Sequence, residues 1–127
     1  MRNMSYLITI VLIMKTSLDP RHKRRQKIME DLFRADFHKQ KISKEASYIL
    51  TQKDFIDKNI QKAAPEFSID KINKIDLAIL RLAAFELLVT KREPPKVIMD
   101  EAIELAKEYG GETSPGFING AVAHLKP

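Results

Sequence analysis

IDLAILRLAAFELL, residues 75–88, is an unbroken helical pattern whose apolar residues occur on every side of the helix. A segment of that kind is expected to be the core helix of the domain. Upstream, Ser68 is placed to cap it, with Ile69, Ile72, Ile75, Ile79, Leu80, Ala83 and Leu87 facing inward. Downstream, Pro94-Pro95 forbids its continuation. Beyond the prolines, VIMDEAIELAKEYGG at residues 97–111 predicts a helix from Pro95 to Tyr109 closed by Gly110-Gly111. Ser114-Pro115 then supplies the cap and first-turn signal of a last helix through Leu125, in which Gly116 and Gly120 are expected to permit close packing.

Working back toward the N-terminus, Asp19 is a cap with Pro20 at the first helical position. The helix it opens is expected to run to about Lys39, with Ile28, Met29, Leu32, Phe33, Ala35 and Phe37 as its apolar stripe. From a cap at Ser43 to Pro65, Ala46, Ile49, Leu50, Ile56, Ile60 and Ala63 keep helical spacing, as one helix or two. Links this short make successive helices packing neighbours. With 127 residues, 44% hydrophobic content and only four glycines, the expectation is one all-α domain spanning residues 19–127.

Residues 1–18 stand apart. The run YLITIVLIM at 6–14 follows one arginine and resembles part of a secretory signal, but it is too short to span a bilayer and no small-residue cleavage site follows. It is an extension upstream of a start at Met14, an additional packed element, or a disordered segment. The absence of cysteine excludes disulfides, thiolate metal sites and cysteine nucleophiles, and suits a cytoplasmic protein.

The net charge of +5 is unevenly distributed. Arg21, Lys23, Arg24, Arg25 and Lys27, with His22 among them, crowd the first turns of a helix, where the backbone dipole favours anions instead. An external polyanion relieves that conflict, and a phosphate backbone is the natural one, against the alternative of a solvated helix face. Phe117 and Tyr109 are candidates to stack bases, or else to pack in the core. Arg81 and Glu86 lie inside the apolar helix; the arginine can reach carboxylates on its own helix or the next, where Asp100 and Glu101 are available, and a buried network of that kind would fix the packing. No nucleophile, phosphate loop or metal-ligand spacing accompanies these carboxylates. His22, His38 and His124 fall at no ligand spacing, so neither catalysis nor a metal or other cofactor is expected.

Taken together, IDLAILRLAAFELL, PPKVIMDEAIELAKEYGG, FINGAV and a basic first helix reaching LFRADF resemble the NusB family of bacterial transcription antitermination factors, from Asp19 to Lys126. The resemblance implies two small packed helical bundles. It also implies binding of the boxA segment of nascent RNA, a single-stranded element, together with the ribosomal protein NusE, in a complex that helps RNA polymerase through ribosomal RNA operons. By that resemblance the RNA-binding residues are Arg21, Lys23, Arg24, Arg25, Lys27, Phe117 and Asn119. The NusE-facing residues are Phe33, Asp70, Asp76, Tyr109 and Phe117, and the internal polar residues are Arg81, Glu86 and Glu101. Aromatic anchors beside acidic residues suit a basic partner.

Two departures accompany the match. Between LFRADF and DFIDKNI the chain is about one helix shorter than the family pattern, so the N-terminal bundle is shortened. Thr113 stands where the family carries an acidic residue. The rival functions are a helical protein–protein interaction module and an RNA-binding partner of a ribosomal RNA methyltransferase whose cofactor domain would lie on another chain.

Overall fold

In the computed structural model, residues 19–37 and 41–126 are described. Among them the elements run α1 (Pro20–Ala35), α2 (Lys44–Thr51), α3 (Lys53–Ala63), a 3-10 turn (Ile69–Lys71), α4 (Lys74–Phe85) continuing into a π turn (Glu86–Thr90), α5 (Pro95–Tyr109) and α6 (Ser114–Ala123). The apolar run at 6–14, His38 and Lys39 lie outside the described residues.

The all-α expectation holds, with α4 at the centre. It touches each of the other five helices: α1, α2 and α3 on the N-terminal side, and α5 and α6 on the other. Ten consecutive residues, Asp76 through Phe85, are buried. Each large apolar side chain among them contributes roughly 1.5–3 kcal/mol. The shortened N-terminal bundle is α1, α2 and α3 against α4, and the C-terminal one is α4, α5 and α6.

The region from Ser43 to Pro65 is two helices, with Gln52 in a non-helical conformation between them. Ser43 caps α2, its hydroxyl accepting from the Ala46 amide at 3.2 Å. At α1, the Asp19 carboxylate accepts from the Arg21 amide at 2.8 Å.

Several boundaries differ from expectation. The first helix ends at Ala35; Asp36 is its C-cap, still with helical dihedrals, and its carboxylate accepts from Arg81 at 3.1 Å. Phe37, expected in the apolar stripe, is exposed and meets the edge of Phe33, at 4.9 Å between ring centroids. Ser68 precedes the 3-10 turn without a side-chain capping bond, and the cap of α4 is Asn73, whose Oδ1 accepts from Ile75 at 2.9 Å. Ser114 does not cap α6 but turns back, its Oγ accepting from the Gly111 amide at 3.0 Å. Close packing falls on Gly110 rather than on Gly116 or Gly120. A Cβ on Gly110 would lie 2.5 Å from the Ser114 side chain, whereas at the other two it would meet nothing within 4 Å.

Candidate nucleic-acid interface

The rotation of α1 about its axis divides the basic cluster in two. Ile28, Met29 and Leu32 are buried against the core. Stepping back from them by three and four residues lands on Arg25 and then on His22, which are buried as well. Arg21, Lys23, Arg24 and Lys27 point outward and are exposed.

Arg25, expected among the phosphate-facing residues, has a side chain only 9% exposed that engages three carboxylates inside the protein. Its Nε and Nη2 donate to both oxygens of Glu86 at 2.8 and 2.7 Å. Nη2 also donates to Glu93 at 2.7 Å, and Nη1 lies 3.9 Å from Glu101. The bidentate bond to Glu86, set against the opposing effect of burial, raises the guanidinium pKa further.

His22 is clamped in the same way. Nδ1 donates to Glu101 at 2.5 Å and Nε2 to Glu108 at 2.6 Å. Two carboxylates on two ring nitrogens require both nitrogens to carry hydrogen, so the ring is an imidazolium. Burial opposes that charge, but the bonds to Glu101 and Glu108 outweigh it and hold the pKa above its ordinary value. Gln26 donates to Glu108 at 2.8 Å, and Tyr109 donates to Glu30 at 2.5 Å, fastening α1 to α5 along its length.

Arg81 and Glu86 therefore belong to separate networks. Arg81 does not reach Asp100, which is exposed, or Glu101. It donates bidentately to Asp57 on α3 at 2.9 and 3.0 Å and to Asp36 after α1 at 3.1 Å. Burial would lower its pKa; the bonds to Asp57 and the neighbouring Asp36 raise it instead. One ion network fixes the N-terminal bundle, and the other joins α1 to α5 through Glu86 at the start of the π turn. Asp36, Asp57, Glu93 and Glu108 escaped the sequence reading. Their partners sit 24 to 86 residues away, so no local spacing signals the pairing.

The outward face of α1 is lightly neutralised. Arg21 pairs with its own cap Asp19 at 3.1 Å, Arg24 approaches Glu45 at 3.9 Å, and Lys27 donates to Asp31 at 3.0 Å. Asp31 is wholly buried; despite desolvation, the Ser43 amide together with Lys27 and Arg34 holds its pKa down to about 2. It ties the end of the α1–α2 link back onto α1, with the Ser43 amide at 3.0 Å.

The other sequence candidates are scattered. Asn119 and Asp70 are exposed, on α6 and the 3-10 turn. Phe117 is half-buried, its ring edge-on to Phe67 at 5.4 Å. Among the described residues no hydrogen bond, ion pair or ring contact joins Phe117 to α1, whereas Tyr109 is fastened there through Glu30. Phe33 is half-buried on α1. Asp76 is buried in the first turn of α4, its Oδ1 without a hydrogen-bond partner among the described residues, and burial raises its pKa against the opposing hydrogen bond from Ser114. Of the proposed partner-facing residues it is the one least open to contact.

Fold and site define a class: a helical domain whose six described helices are built on one buried apolar helix, with two ion networks turned inward and a basic helix edge turned out. The chain belongs to the NusB family, whose sequence profile matches residues 6–126. That span begins ahead of Asp19. The chain is 38% identical over 84 residues to the transcription antitermination protein NusB of Clostridium novyi, a match covering 66% of this chain and 63% of the relative. It is 46% identical over 77 residues to the protein of the same name from Geotalea daltonii, covering 61% and 53%. The matched segment thus spans between about half and two thirds of these relatives. A solved structure of T. maritima NusB superposes with a TM-score of 0.73 at 30% identity, covering 84% of this chain and 89% of the other. Among the described residues no helix is long and apolar enough to cross a membrane.

Proposed function

We propose that this protein is a cytoplasmic transcription antitermination factor that binds boxA-type single-stranded RNA together with NusE and so supports processive transcription of ribosomal RNA operons. The observation that carries the reading is the outward set Arg21, Lys23, Arg24 and Lys27 on one helix edge, in a chain of the NusB family. Arg25 is withdrawn from that set by Glu86 and Glu93. RNA polymerase is reached through the complex rather than directly. The role proposed is non-catalytic, in keeping with relatives named as transcription antitermination proteins.

The partner surface is proposed around Phe33 and Tyr109, with Asp70 and Phe117 contributing from exposed or half-exposed positions. A basic ribosomal protein matches acidic residues set beside aromatic anchors. The test is titration of a boxA-containing RNA and a scrambled control, with and without NusE, over a range of salt. Preference for boxA that grows with NusE is expected, together with a log–log salt slope that Lys23→Glu or Arg24→Glu reduces. Equal binding of both RNAs in the presence of NusE would refute boxA recognition; unchanged affinity and slope in both variants would refute the RNA surface.

A further inference from the structure

We propose that the cleft between the first turns of α1, helix α2 and the C-terminal end of α4 receives one unpaired RNA base, with the adjoining phosphate held by cations at its mouth. The inference rests on the RNA-binding reading above and adds a base-recognition site to it. The cleft encloses about 370 Å³. Its floor is apolar, made by Ile28, Ile49, Leu82 and Phe85, all buried. One wall is Tyr48, an aromatic residue 53% exposed, whose ring meets Phe85 edge-on at 5.7 Å and 77°.

Charge at the mouth selects the occupant. Arg21, Arg24, Lys44 and Arg92 line it and are exposed. Three carboxylates also line it, but Glu86 and Glu93 are held by the buried Arg25, and Glu45 alone stands near Arg24, at 3.9 Å. Positive charge therefore exceeds uncommitted negative charge around an apolar, aromatic-walled floor. That combination matches a nucleotide, whose base offers a π-face to an aromatic ring and whose phosphate takes guanidinium donors. The volume lies at the low end of small-molecule sites. One turn of a helix, about 10 Å across and about 5.4 Å long, displaces more than that volume, so a protein partner inserts no more than a side chain. Tyr48 is also more open than the earlier stacking candidates: it is exposed, whereas Tyr109 and Phe117 are half-buried.

The test uses the full chain, a fluorescein-labelled mixed-sequence single-stranded RNA, and fluorescence anisotropy across a salt series. Tyr48→Ala is expected to weaken binding roughly tenfold, the scale of one lost base–aromatic stack, with the salt slope unchanged because no phosphate contact is removed. Tyr48→Phe restores wild-type affinity. Arg92→Ala lowers affinity and reduces the slope by about 0.7. Circular dichroism confirms that each variant is folded, and photocrosslinking with 4-thiouridine-substituted RNA places the crosslink at Tyr48 in the wild type. If Tyr48→Ala binds as wild type while Arg24→Glu still weakens binding, the base cleft is wrong and the RNA face stands. If neither variant changes binding, both are wrong. If an acidic Glu/Leu helical peptide shifts the Tyr48 NMR signals and the RNA does not, the cleft serves a protein and the proposal is overturned.

Discussion

Arg24 and Arg25 are neighbours in sequence with opposite predicted fates, and truncating each to alanine separates fold from function. Arg25→Ala removes the group that holds Glu86 and Glu93 at 2.7 Å and leaves both carboxylates facing a vacated, low-dielectric space. Breaking a buried ion pair from one side costs about 3–5 kcal/mol. The Glu86 and Glu93 side chains are 17% and 26% exposed, so water relieves part of the penalty and the low end, about 3 kcal/mol, is expected. Against a total stability of roughly 5–15 kcal/mol this is a large fraction. With a urea dependence of about 1–3 kcal/mol per molar, the unfolding midpoint drops by about 1–3 M. Far-UV circular dichroism reads it directly, the chain being helical and without tryptophan. Arg24→Ala, by contrast, removes a side chain that is 62% exposed, and is expected to move stability by no more than about 0.5 kcal/mol. Its effect falls on RNA, where the log–log salt slope shrinks by about 0.7. An unchanged urea midpoint in Arg25→Ala, combined with the slope reduction expected of Arg24→Ala, would show that the helix is rotated differently and refute the division of the cluster.

Three further outcomes follow from the same geometry. His22 gains its proton affinity on folding, so its contribution is complete below the unfolded value near 6.5 and is lost as pH rises through the raised folded pKa. The wild-type urea midpoint should accordingly decline over that window, and His22→Gln should abolish the decline. Gly110→Ala forces a Cβ to within 2.5 Å of Ser114 and 2.7 Å of the Ala106 carbonyl, so the α5–α6 corner must shift; a loss of roughly 1–3 kcal/mol in thermal or urea unfolding is expected. Lys91 closes the π turn in the left-handed region, at φ 53°. Lys91→Gly relieves that conformation and should stabilise the chain by roughly 0.5–1 kcal/mol in the same assay.

The helical architecture was legible because its signals are local. Apolar period, Asp19-Pro20, Pro94-Pro95 and Gly110-Gly111 act within a turn or two of themselves; α1 starts, and α5 starts and stops, where they indicate. The burial of Arg25 was also accessible in principle, since Ile28, Met29 and Leu32 fix which side of α1 faces inward. Counting positive charges without that phase merged an inner set with an outer one. The acids that receive Arg81 and Arg25 were not legible. Asp57 and Asp36 reach Arg81 only after α3 and the end of α1 have packed on α4, and nothing in the spacing prefers them to Asp100. Tyr48 went unnoticed for a related reason: an aromatic on a short helix is remarkable only once the cleft beside it exists.

The split of α1 also sets an electrostatic valence. A folded molecule offers a polyanion the outer cations alone, because Arg25 and His22 are held by internal acids. The unfolded segment offers them all. A ligand confined to the outer face stabilises the fold by mass action, whereas one dense enough in charge to recruit Arg25 and His22 binds the unfolded chain preferentially and destabilises it. The sign of the melting-temperature shift thus distinguishes a ligand that reads this helix from a polyelectrolyte that merely titrates its charge.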